Sequence, residues 1–197
     1  MKTEILKIKG DWQEVVNDCR ATVAKPPLGK EPSAAFKRSI LISEHDPIRD
    51  IVVKFRWTLP YWVAMHWKTH IWRSRTNTQR TDRTGIDRNK SPQDVPVEFT
   101  GDPNVQHLID TWRKRLCFMA SPETRSYAED FKATLKHIQP EISDVLVPNC
   151  VYRCGCPEPN GCRWFETMAA LYPDIASTDI QKRYDTYNSL FCVKESQ

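Results

Sequence analysis

The chain has 197 residues, 40% of them hydrophobic and 27% charged, a make-up that fits one soluble domain with a sizeable core and excludes a largely disordered chain. No apolar run approaches the ~20 residues that span a bilayer, and Met1-Lys2-Thr3-Glu4-Ile5-Leu6-Lys7 lacks the apolar stretch of a signal peptide, so a cytoplasmic protein with no membrane partner is expected. The net charge is only +4, yet the window from Lys68 to Lys90 holds seven basic residues against Asp82 and Asp87: a focused positive field suited to phosphate, or simply a solvated basic loop.

In chain order, residues 1–9 alternate weakly and suggest an edge strand. Trp12, Val15, Val16 and Cys19 mark one face of a helix within 11–23, and a short helix is expected over 33–42. The clearest strand is Ile51 to Trp57, where Ile51, Val53, Phe55 and Trp57 share a face opposite Lys54 and Arg56. Pro60 then opens an aromatic-rich helix expected to reach Trp72. Residues 73–104, polar and punctuated by Gly85, Pro92, Pro96, Gly101 and Pro103, predict a long irregular loop. Val105, Leu108, Ile109, Trp112, Leu116 and Met119 form the stripe of an amphipathic helix. A second helix starts at Ser121-Pro122 and buries Tyr127, Ala128, Phe131, Leu135 and Ile138. Pro140 closes it, and a last helix surrounds Ile180 to Phe191. The pattern predicts an α+β fold: a single domain with a small antiparallel or mixed sheet against several helices, plus a C-terminal Cys-rich metal-binding loop. Residues 1–147 form its body, and 148–197 the Cys-rich loop and final helix of the same domain.

Three segments carry a resemblance. Glu44-His45-Asp46-Pro47-Ile48-Arg49-Asp50 places a polar trio and a proline before a strand. Pro60-Tyr61-Trp62-Val63-Ala64-Met65-His66-Trp67 has the spacing Pro-x-x-Val-Ala-x-x-Trp. Arg115-Leu116-Cys117-Phe118-Met119-Ala120-Ser121-Pro122-Glu123-Thr124-Arg125 reads Arg-Leu-Cys-x-x-Ala-x-x-Glu-x-Arg. In this order, over roughly residues 40–138, the set resembles the flavin-dependent thymidylate synthases. The family's Arg-His-Arg signature is altered: Thr69-His70-Ile71 and Ser74 keep the His and Ser without the flanking arginines, with Arg73 and Arg75 nearby.

The resemblance implies an enzyme that moves a one-carbon unit onto a deoxyuridine monophosphate, with FAD as cofactor and NADPH and methylenetetrahydrofolate as co-substrates. It implies a homotetramer. By the same likeness Asp46, His70 and Ser74 contact the flavin, while His66, Arg75, Gln79, Arg80, Arg83 and Arg115 hold the nucleotide. Chemically, Arg75, Arg80 and Arg83 offer the planar forks that a phosphate clamp needs. Ionising a uracil ring needs a fixed cation at its N3–O4 edge, the catalytic role that the resemblance gives Arg115. Arg115 also reads as one more basic residue of a Trp-Arg-Lys-Arg run. His66 and His70, four apart, read as a metal pair or as hydrogen-bonded structural or flavin-contacting groups.

Cys150, Cys154, Cys156 and Cys162 lie within thirteen residues, with Pro157, Pro159 and Gly161 between them. Such a loop folds back easily and offers four thiols to a structural zinc ion; free or disulfide-forming thiols and an iron–sulfur cluster are the other readings. Cys19, Cys117 and Cys192 read as small buried hydrophobes. The alternative to the enzyme is a non-catalytic, zinc-stapled protein that binds a nucleotide or single-stranded nucleic acid, with Trp67, Trp72 or Trp164 stacking on bases.

Overall fold

The strand that alternates most cleanly in the sequence organises the molecule. The computed structural model describes residues 2–77, 85, 87 and 89–191, and in it β2 (Val52–Pro60) turns Val53, Phe55, Trp57 and Leu59 into the core. Two antiparallel neighbours flank it. β1 (Glu4–Lys9) lies on one side and β4 (Pro96–Gly101) on the other, with β3 (Ser74–Thr76) on the outer edge of β4. Among the described residues one face of this sheet is covered, in keeping with strands that alternate rather than run continuously apolar.

Before the central strand come α1 (Trp12–Ala21), capped by Asp11, and α2 (Ala34–Ile42), capped by Ser33. A 3-10 turn over Asp46–Asp50 then leads into β2, and α3 (Tyr61–Lys68) follows it. The two long helices cover the sheet. In α4 (Val105–Arg115), Asn104 accepts the amide of His107 at 2.9 Å, and Leu108, Ile109 and Trp112 turn inward. In α5 (Pro122–Lys136), Ser121 accepts the amide of Thr124, Pro122 stands at the first helical position, and Tyr127, Ala128, Phe131 and Leu135 are buried. Phe55 is the hub. Its ring centroid lies 4.4 Å from Trp57, 5.0 Å from Phe131, 5.8 Å from Trp72 and 6.4 Å from Trp112.

The C-terminal part is α6 (Pro140–Asp144), α7 (Asn149–Arg153), α8 (Trp164–Leu171), a 3-10 turn and α9 (Ile180–Phe191). Arg183 is buried and fastens α9 by donating to the carbonyls of Val151 at 2.8 Å, Tyr152 at 2.9 Å and Ser177 at 2.6 Å. Charge-assisted bonds to several carbonyls satisfy a guanidinium that burial would otherwise penalise. The result is an α+β architecture in which Val151, Ile175, Tyr184 and Tyr187 join the same apolar core as the sheet.

Three expectations are corrected. The stretch 73–104 is not one loop, because β3 and the central strand β4 lie inside it. Pro96 is tolerated as the first residue of its strand, opposite Pro60. Gly101 is needed there, since a Cβ would stand 2.4 Å from the Trp72 ring and 2.7 Å from that of Phe55. Helix α3 stops at Lys68, and Ile71 is 89% exposed. Helix α4 ends at Arg115, leaving Met119 60% exposed. Pro122 bars Ser121 from helical geometry, so the chain must leave the helix beforehand. No helix among the described residues is long and apolar enough to cross a membrane.

Candidate functional site

Two segments far apart in sequence meet through one guanidinium. Arg115, at the end of α4, donates from Nε to His70 Nε2 at 2.9 Å, and from Nη2 to the carbonyl of His66 at 2.6 Å and to Thr69 Oγ1 at 3.3 Å. The carbonyl belongs to the last turn of α3, where a cation also meets the negative end of the helix dipole. Nη1 has no hydrogen bond among the described residues. His66 stands with Nδ1 2.9 Å from Thr124 Oγ1, and Ser121 Oγ donates to that same hydroxyl at 2.8 Å. The second and third motif segments are therefore joined twice, by Arg115 and by Thr124.

An arginine only donates, so His70 Nε2 must be the acceptor and the ring proton sits on Nδ1. Burial, with the charges of Arg115 and Lys114 beside it, lowers the His70 pKa to about 4. The ring lies parallel to that of Trp72 at 6.3 Å, and Trp72 donates to Thr111 Oγ1 at 3.1 Å. His70 is thus a neutral, oriented group. Unfolded chains protonate this histidine below 6.5, whereas the folded protein does so only near 4. Stability should therefore fall as pH drops through that window and be independent of His70 above it. NMR titration of the ring should find no protonation at pH 5.5; a normal histidine titration there would contradict the assignment.

Cavities lie on both sides of the basic end of α4. One, of about 450 Å³, is lined by His70, Trp72, His107, Lys114, Tyr152 and Arg153, among others. The other, of about 330 Å³, is lined by Arg115, Cys117, Phe118, Cys150 and Trp164, among others. Arg113 borders both, but its charge is engaged. It pairs with Glu44, which also accepts from Gln106 Nε2 at 2.6 Å, and it stacks 3.5 Å over the Tyr152 ring. Lys114 and Arg153 supply the field for an anion in the larger cavity.

The remaining sequence-derived candidates are placed less closely. Ser74 and Arg75 lie on the edge strand β3, opposite Gly101 and Thr100, with Arg75 exposed. Asp46 pairs with Arg49 at 2.8 Å on the surface. Gln79, Arg80 and Arg83 lie outside the described residues. Trp67 and Trp72, invoked above as base-stacking platforms, are buried in the core, and Trp164 stacks on Phe118 at 4.9 Å.

Among the described residues no three His, Cys, Asp or Glu side chains stand close enough to enclose a metal ion, and no disulfide forms. Cys154 adopts a left-handed φ of 56° and its thiol points to the carbonyl of Ala176 at 3.3 Å. Cys150, Cys156 and Cys162 instead line the smaller cavity, together with Cys117. Burial, then the charge of Cys117, pushes the Cys150 thiol up to about 12. Sequence spacing gave no sign of Cys117 in this group, thirty-three residues from Cys150. Thr69, Thr124, Lys114 and Arg153 were also missed, each too ordinary in its local sequence to stand out.

No protein-family model matches the chain, and no curated protein matches it in sequence. Among solved structures it is similar to a UMP/dUMP methylase, PolB from Streptomyces cacaoi, whose crystal structure contains 5-Br dUMP. The match has a TM-score of 0.59 and covers 73% of this chain and 93% of that one at 13% identity. At that identity the likeness establishes the α+β fold of the two chains as shared.

Proposed function

We propose that this chain binds a deoxyuridine monophosphate and transfers a one-carbon unit to its ring, as a flavin-dependent thymidylate synthase-like enzyme. The observation that carries this reading is the Arg115 junction, in which a neutral His70, the end of α3 and the Arg-Leu-Cys segment converge through three hydrogen bonds. The structural likeness to a methylase solved with a uracil nucleotide supports the same reading.

Arg115 is held by three hydrogen bonds and its Nη1 makes none among the described residues, so it can meet negative charge developing on a uracil oxygen without reorganising. His70, neutral and with its proton on Nδ1, orients Arg115 rather than competing with it as a second cation. Lys114 and Arg153 suit the phosphate of a nucleotide or the pyrophosphate of FAD. FAD, when bound, supplies the redox chemistry, with NADPH as its reductant and methylenetetrahydrofolate as the carbon donor. A homotetramer would complete the site, with Ser74 and Arg75 of the sheet edge as further candidates for flavin and nucleotide contact. The burial of Trp67 and Trp72 weighs against single-stranded nucleic acid as the ligand.

Calorimetric titration of the purified protein with dUMP, with and without FAD, tests the reading. Saturable dUMP binding is expected, along with flavin absorption that co-elutes with the protein. Absence of dUMP binding under both conditions would sink it.

A further inference from the structure

We propose that Cys117, Cys150, Cys156 and Cys162 bind a zinc ion, and that this ion fastens the segment after Arg115 to the C-terminal loop. The four thiols line one cavity of about 330 Å³. Two of them sit on fixed structure: Cys117 just past the end of α4, and Cys150 within α7. The other two lie between α7 and α8, where the chain has neither helix nor strand and is bracketed by left-handed residues, Cys154 at φ 56° and Arg163 at φ 59°.

Cys154 is the cysteine of the tight sequence cluster that does not belong. Its thiol faces the Ala176 and Ser177 carbonyls, away from the other three. Cys117 takes its place in the cavity wall. As the thiols stand they do not enclose an ion, so binding must draw Cys156 and Cys162 towards Cys117 and Cys150. The loop is suited to that movement. A Cβ on Gly161 would lie 2.5 Å from Cys156 Sγ, so glycine lets the chain before Cys162 pass close to Cys156 without displacing its thiol. Pro157 and Pro159 restrict the unbound loop and reduce the entropy lost when it closes.

The chemistry favours zinc. Four thiolates, once drawn together, are soft ligands of the kind that close a structural zinc site. Each S–H bond is exchanged for an S–Zn bond and its proton passes to solvent, which leaves a centre of net charge −2. Lys114 and Arg115 line the same cavity and offset that charge. The proposal does not rest on the nucleotide reading: Arg115 also lines this cavity, but the thiols and the metal content they predict need no substrate.

The test uses the full chain, purified and loaded with zinc salt, then assayed for metal after removal of free ion. About one zinc per chain is expected in the wild type and in Cys154→Ser, with at least a tenfold loss in Cys117→Ser. Wild-type protein alkylated with and without a strong chelator gives a second readout if Cys117→Ser does not fold. Cys154 should react in both states, whereas Cys117, Cys150, Cys156 and Cys162 should react fully only after chelation. A zinc-free wild type, zinc lost from Cys154→Ser but kept by Cys117→Ser, or protection of Cys154 by zinc would each overturn the assignment.

Discussion

Arg115→Lys, which keeps the positive charge, should lower turnover of the nucleotide by about 10²–10³-fold, the usual effect of removing one preorganised donor from developing negative charge. A lysine ammonium is a point charge on a flexible stem and cannot reproduce three directed bonds to His70, the His66 carbonyl and Thr69. The junction should loosen while the core persists, so the urea midpoint should move little in comparison. Steady-state kinetics alongside urea unfolding separates the two effects. Wild-type turnover in the lysine variant would reduce Arg115 to a tether between helices. Equal collapse of turnover and stability would do the same.

The second large effect is expected at Glu44. Its carboxylate meets Arg113 with side chains only 21% and 12% exposed, so Glu44→Ala leaves a poorly hydrated guanidinium with the more distant Asp110, 3.7 Å away, as its carboxylate partner. Breaking such a pair typically costs about 3–5 kcal/mol, and the residual exposure points to the lower end. Burial pushes the Glu44 carboxyl up, but hydrogen bonds from Arg113 and Gln106, with the charge of Arg113, outweigh it and hold the group below the usual carboxylate range. A depressed folded value means that this stabilisation is present above 4.5, the ordinary value, and is lost as pH falls through the folded one. The alanine variant should therefore lose stability at neutral pH and show a shallower acid limb. Urea unfolding across pH measures both, and a neutral-pH change under ~1 kcal/mol would contradict the buried-pair account.

Elements whose signals are local were legible in the sequence. Asn104 and Ser121 cap the helices that the apolar stripes announced, and the alternation from Ile51 to Trp57 named the buried face of the central strand, which runs on to Pro60. The strand Pro96–Gly101 was missed because it presents only Val97 and Phe99 to the core between a proline and a glycine, both normally read as breaks. Helix Trp164–Leu171 is short and follows directly on the cysteine-rich loop, so Trp164, Phe165 and Met168, although spaced for a helix, give only a brief periodic signal. Within the site, His66, His70 and Arg115 were legible through a family likeness, whereas their hydrogen bonds were not. A contact between residues forty-five positions apart leaves no periodic trace. The cysteines show the same limit, since proximity along the chain favoured Cys154 while the fold gathers Cys117.

The crowding of indoles in the core has an optical consequence. Trp57, Trp67 and Trp112 form a triangle with ring centroids 4.8, 5.3 and 6.4 Å apart. At such separations their transitions couple, and excitation migrates among the rings before any one of them emits. The near-ultraviolet circular dichroism and the fluorescence of the protein are then collective properties of the triangle. Replacing one of these tryptophans should reshape the whole spectrum rather than subtract a share of it. Trp67 lies 6.2 Å from the His70 ring, so protonating or turning that imidazole should quench emission that originates deep in the core.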